Sequence, residues 1–173
     1  SSVTDMNGMF TSTPFNQPIG NWDVSNVTNM YAMFADTPFN QDLSTWDVSS
    51  VTTMESMFGQ TPFNQDISAW DVSSVTNMFQ MFNNADSFNR PIGNWDVSSV
   101  TNMSQMFYNA TAFNQDLSSW NVSSVTNMGA MFASATSFNQ DISTWSVDGV
   151  VTCGAFSDAA PLTEENTPNF TNC

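Results

Sequence analysis

Four aspartates occupy one position of a recurring pattern, between a tryptophan and a valine: Asp23, Asp47, Asp71 and Asp96. The column continues with Asn121 and Ser146. On an extended backbone an inward Trp and an inward Val turn the residue between them outward. Neighbouring strands lie about 4.8 Å apart. Two carboxylates at that spacing repel by roughly 0.9 kcal/mol in bulk water, and several-fold more where water is partly excluded. Such a row invites a cation, water or a donor-rich ligand. Ser49, Ser73 and Ser98 follow two residues after three of the aspartates and add hydroxyls. The candidate ligand-binding face is therefore Asp23, Asp47, Asp71, Asp96 and Asn121 with Ser49, Ser73 and Ser98. A metal, if the row holds one, would sit on Asp47, Asp71 and Asp96. Calcium is the ion to consider, but it takes six to eight oxygens. One Asp per copy flanked by Ser is a thin supply. The competing reading is structural: each Asp bonds the hydroxyls and backbone of the Ser corner that follows it.

Other chemistries lack their parts. The chain has no His and no Lys, and its single basic residue is Arg90. General acid–base work by paired carboxylates is the only catalysis left open, and the expectation is that the chain is not an enzyme. A net charge of −15 leaves no Lys/Arg patch to meet phosphates, so nucleic acid is excluded as a partner. Anionic membranes are disfavoured for the same reason, and no apolar run is long enough to span a bilayer. A second acidic column, Asp42, Asp66, Asp116 and Asp141, has Pro18 and Pro91 at the same position. Asp and Pro share turn chemistry but not metal binding, so this column reads as structural.

The elements that position these residues come from one repeated unit. Trp recurs at 22, 46, 70, 95, 120 and 145, at spacings of 24, 24, 25, 25 and 25. Phe-Asn pairs begin at Phe15, Phe39, Phe63, Phe88, Phe113 and Phe138 in the same register. Met pairs three apart, such as Met78/Met81 and Met103/Met106, keep it too. A fixed period in this range signals stacked repeats. Within one unit, Trp120 and Val122 suit a short strand, and the Ser-Ser after them suits a helix N-cap. Val125, Met128, Met131 and Phe132 then have the spacing of one helical face. The fold class expected is an α/β solenoid of about six strand–helix coils of 24–25 residues. It would have a parallel sheet on one side and short helices on the other. Asn in each Phe-Asn pair would bond loop backbone between coils.

The L-x-x-W-x-V segment resembles the core of a leucine-rich repeat. The whole unit, F-N-Q-D-[LI]-S-x-W-D-V-S-S-V-T-N-M-x-x-M-F, resembles the BspA-like leucine-rich repeats of bacterial and protist surface proteins. It is most similar to the subtype first described in mycoplasmas as a domain of unknown function. The resemblance covers roughly residues 1 to 152. It implies a leucine-rich-repeat-like fold displayed outside the cell, in proteins usually described as surface or adhesion proteins, and it supplies no catalytic residues.

The organisation expected is a tandem-repeat solenoid over 1–152 and a C-terminal cap over 153–173. Cys153 takes the place of a repeat Met, and the chain ends at Cys173. A Cys153–Cys173 disulfide would pin the tail over the last open repeat, contributing on the order of 3 kcal/mol. It implies an oxidising compartment. The start at Ser1, in mid-repeat, reads as a domain with more repeats upstream. Two functions remain. One is an extracellular cell-surface recognition or adhesion module that binds an external protein or glycan through its sheet face. The other is a passive spacer in a larger surface protein, with calcium stabilisation as a variant of it. Nothing in the pattern sets an oligomeric state.

Overall fold

The computed structural model describes residues 2–173. Among them, equivalent residues of successive copies stack directly over one another. Six isolated parallel bridges run from Asp5↔Asn29 through Thr53, Asn77, Asn102 and Asn127 to Thr152, one residue wide. The interior is a set of columns. Phe82 stacks on Phe88 of its own copy at 3.9 Å and on Phe107 of the next at 5.6 Å, ring centroid to centroid. Val, Met, Ile, Leu and Trp columns fill the rest, and nearly all of these side chains are buried.

The expected α/β solenoid of leucine-rich-repeat type is overturned. No described residue lies in a helix, and the bridges never extend into strands. The backbone of residues 78–85 gives the reason. Met78, Gln80, Phe82 and Asn84 donate their N–H groups to the carbonyls of Asn102, Ser104, Met106 and Tyr108 in the next copy, at 2.8–3.1 Å. Met81, Asn83 and Ala85 close turns on Met78, Gln80 and Phe82. Phe79 N–H goes to Asn77 Oδ1 at 3.0 Å. Every N–H of the segment is thereby satisfied, and none goes to the residue four before it, as a helix requires. The period of Met78, Met81 and Phe82 comes from consecutive turns instead.

Those turns need left-handed residues, and the chain supplies two per copy, four apart. The pairs are Gly8/Ser12, Ala32/Asp36, Ser56/Gln60, Gln80/Asn84, Gln105/Asn109, Ala130/Ser134 and Ala155/Ala159, with φ between 49° and 62°. Only Gly8 is a glycine. At each other position a Cβ meets the following carbonyl oxygen, at a cost of about 1–2 kcal/mol. The inter-copy hydrogen bonds and the buried Met and Phe over-determine the conformation.

The strand expected at Trp-x-Val is absent, although Trp120 and Val122 do face inward. Copies join there through side chains. The indole Nε1–H of Trp46, Trp70, Trp95, Trp120 and Trp145 donates to the carbonyl of Ile19, Leu43, Ile67, Ile92 and Leu117, at 3.0–3.2 Å. At the Phe-Asn corner, Asn Oδ1 accepts the backbone N–H of the next copy's Asn along the whole row from Asn16 to Asn139, at 2.9–3.1 Å. Arg90 stands where other copies have Gln and makes the same kind of contact, donating Nε–H to the Asn64 carbonyl at 2.7 Å.

The last copy is covered by its own tail. Phe170 packs edge-on against Phe156, which packs edge-on against Phe132. Cys153 and Cys173 are joined in a disulfide with their Cα atoms 5.8 Å apart, as the sequence predicts.

Candidate functional site

Each Asp of the candidate column is exposed at a corner, and each uses one carboxylate oxygen in its own turn. Asp23 Oδ1 accepts from Ser25 N–H at 3.2 Å and from Ser25 Oγ–H at 2.7 Å. Asp47 does the same with Ser49 at 3.1 and 2.6 Å, and Asp71 with Ser73 at 3.0 and 2.6 Å. Asp96 accepts from Ser98 N–H at 3.1 Å. Asn121 repeats the pattern with Ser123 at 3.2 and 2.8 Å. Every one of these bonds spans two residues. The structure therefore brings Asp and Ser together within each copy.

The electrostatics follow the bonds. The Ser49 hydroxyl, then its backbone N–H, holds the Asp47 carboxyl below the ordinary carboxylate range, while the charge of Asp23 opposes this. The Ser98 hydroxyl and then its N–H lower Asp96 in the same way. The second acidic column is built alike. Asp42, Asp66, Asp116 and Asp141 accept from the N–H of Ser44, Ser68, Ser118 and Ser143 at 2.8–3.0 Å. The Ser44, Ser68 and Ser118 N–H groups are the leading cause of the lowering at Asp42, Asp66 and Asp116, and the Ser143 hydroxyl at Asp141. Among the described residues, no three His, Cys, Asp or Glu side chains converge as a metal-binding group. Both columns can cap turns without any ligand.

A different wall holds what the sequence reading passed over. In the M-x-x-M-F-x-x segment the Met and Phe side chains point in, so the x positions form the outer surface of the left-handed turns. The residue after the first Met is Asn7, Tyr31, Glu55, Phe79, Ser104, Gly129 and Gly154 in successive copies. The residue after Phe is Thr11, Ala35, Gly59, Asn83, Tyr108 and Ala133. Nowhere else does one column run from glycine to an aromatic ring. Tyr31 and Tyr108 on this wall are 40% and 37% exposed, while the Trp from 46 to 145 and the Phe from 34 to 138 in the stacked columns are buried. The signal that could have found this wall is variation between copies, which a search for regularity discards.

A family model described as a Mycoplasma protein of unknown function, DUF285, matches residues 1–72 and 59–170. The chain belongs to this family. No curated protein and no solved structure matches it. The DUF285 repeat thus has two parts here. Its constant positions make the core, the corner turns and the bonds between copies. Its most variable positions share one outer wall.

Proposed function

We propose that this DUF285 chain is a non-catalytic recognition module of an extracellular surface protein, of the BspA-like kind, that binds an external protein or glycan. The observation that carries the reading is the concentration of copy-to-copy variation on one exposed wall. Stacked repeats present a continuous surface, and the positions free of stacking duty are those that can specialise for a partner. The disulfide supports an oxidising, extracytoplasmic setting. The acidic charge disfavours nucleic acid and anionic lipid as partners. Recognition belongs on the variable wall in preference to the Asp column, because each Asp is committed to the turn of its own copy.

The test is binding of the purified chain to immobilised matrix proteins and glycans, with wall variants beside the wild type. Binding that weakens with Tyr31→Ala or Tyr108→Ala supports the reading. Absence of any partner in both collections would contradict it. It would favour a passive spacer, a role the uniform inter-copy bonding of the constant columns also suits.

A further inference from the structure

The variable wall is not flat. A groove of about 260 Å³ is lined by four successive copies, from Thr11 and Tyr31 on one side to Gln80 and Asn83 on the other. Its floor is Ala32, Ala35 and Gly59. At the positions of Ala35 and Gly59 other copies carry Asn83 and Tyr108, and at that of Ala32 they carry Gln80 and Gln105. The groove exists because small residues coincide in adjacent copies. A second hollow of about 330 Å³, lined in part by Pro62, Asn84 and the carboxylate of Asp86, adjoins it and shares Gln60.

The polar groups of the groove are all neutral, in a chain of net charge −15. Several are already oriented. The Gln80 amide donates to Gln105 and its oxygen accepts from Ser56 Oγ at 3.4 Å. One Gln80 N–H is left to donate outward. The Asn83 oxygen accepts from the Asn84 amide, which leaves the Asn83 NH2 free to donate. Thr11 Oγ1–H donates to the Ala32 carbonyl at 2.6 Å, leaving its lone pairs to accept. The Gln60 amide stands between the two hollows and offers both a donor and an acceptor. Tyr31 adds an exposed ring with a polar tip.

We propose that this groove binds a neutral oligosaccharide. The proposal rests on the recognition reading above and names its site and ligand class. The C–H face of a pyranose ring lies against Tyr31 and the Ala/Gly floor, and its hydroxyls pair with the amides of Gln60, Gln80 and Asn83. Two adjoining hollows sharing one amide accommodate two consecutive sugar rings, so a disaccharide or longer chain binds more tightly than a monosaccharide. No carboxylate or ammonium is required of the ligand.

The test is calorimetric titration of the whole chain with mono- to hexasaccharides of glucose, mannose, galactose and N-acetylglucosamine. At least one oligomer series is expected to bind, with affinity rising from one ring to two. Tyr31→Ala removes the platform. Ala35→Tyr fills the floor with the residue that Tyr108 already places at the equivalent position, so the fold tolerates it. Each is expected to weaken binding about tenfold or more, a loss of roughly 1.4 kcal/mol. Val151→Thr, which restores the Thr of other copies far from the groove, should leave it unchanged. No binding by any saccharide overturns the proposal, as does binding indifferent to both groove variants. If a matrix protein binds instead, the recognition reading stands and the saccharide groove falls.

Discussion

The corner that carries Asp47 and the wall that carries Tyr31 belong to the same repeat, yet they differ in what each side chain is doing. At the corner, Asp47 Oδ1 holds Ser49, Trp46 Nε1–H holds Ile19, and Asn40 Oδ1 holds Asn64. Truncating any of these to alanine takes a bond from a named partner. On the wall, backbone N–H groups such as Gln80 to Ser104 join the copies throughout, and side-chain bonds such as Gln80 to Gln105 add to them only where a copy carries the right residue. No wall side chain makes a bond that every copy repeats, so each position can change without breaking a common row. Regularity therefore marks the scaffold, and irregularity marks the surface free to bind.

Substitutions can sharpen that contrast. The largest effect is expected beneath the wall. Phe107 is fully buried between Phe82 and Phe132, so Phe107→Ala should cost about 3–5 kcal/mol in denaturant unfolding. Its immediate neighbour Tyr108 is exposed, and Tyr108→Ala should stay within about 0.5 kcal/mol. At the corner, Asn89 Oδ1 accepts from Asn114 N–H at 3.0 Å and from Gln115 Nε2–H at 2.7 Å. Asn89→Ala should cost about 0.5–1.5 kcal/mol per lost bond, because two bonds between copies go and their exposed donors turn to water. Equal losses at Tyr108 and Asn89 would break the comparison.

The aspartates give a smaller, pH-dependent effect. The carboxyls of Asp47 and Asp96 are held below the ordinary value of 3.8 by serine hydrogen bonds. A lowered folded-state value means stability that is complete above the unfolded-state value and lost as pH falls through the folded one. Tm is expected to be flat from about pH 7 to pH 5 and to fall below about pH 4. Asp47→Asn should leave Tm at pH 7 unchanged, since Asn121 makes the same two bonds with Ser123, and should reduce the fall in acid. A Tm at pH 7 that drops sharply with Asp47→Asn would mean the charge itself is needed, as at a cation site.

Much of this was legible in the sequence. The period, the inward Trp, Val, Met and Phe columns, the Asn row and the Cys153–Cys173 bond all follow from spacing and residue chemistry. The helix did not survive, for a physical reason. Turns closed every three residues place Met128, Met131 and Phe132 on one face much as a helix does. Their left-handed members, Ala130 and Ser134, are not glycines, so no glycine betrays the turn. The wall stayed hidden because Tyr31, Gly59 and Gln80 fall on positions that a consensus writes as x. The Asp column drew notice because it repeats, and it repeats because each copy needs the same turn.

Ala130 separates the two conformations most directly. In a helix, Ala130→Gly would lose about 1 kcal/mol. Here Ala130 has φ 52°, where glycine removes a steric cost of about 1–2 kcal/mol, offset by about 0.4–1 kcal/mol of added unfolded-state freedom. Denaturant unfolding of Ala130→Gly is expected to show stability unchanged or raised by up to about 1.6 kcal/mol. A loss of about 1 kcal/mol would contradict the left-handed wall and return the segment to a helix.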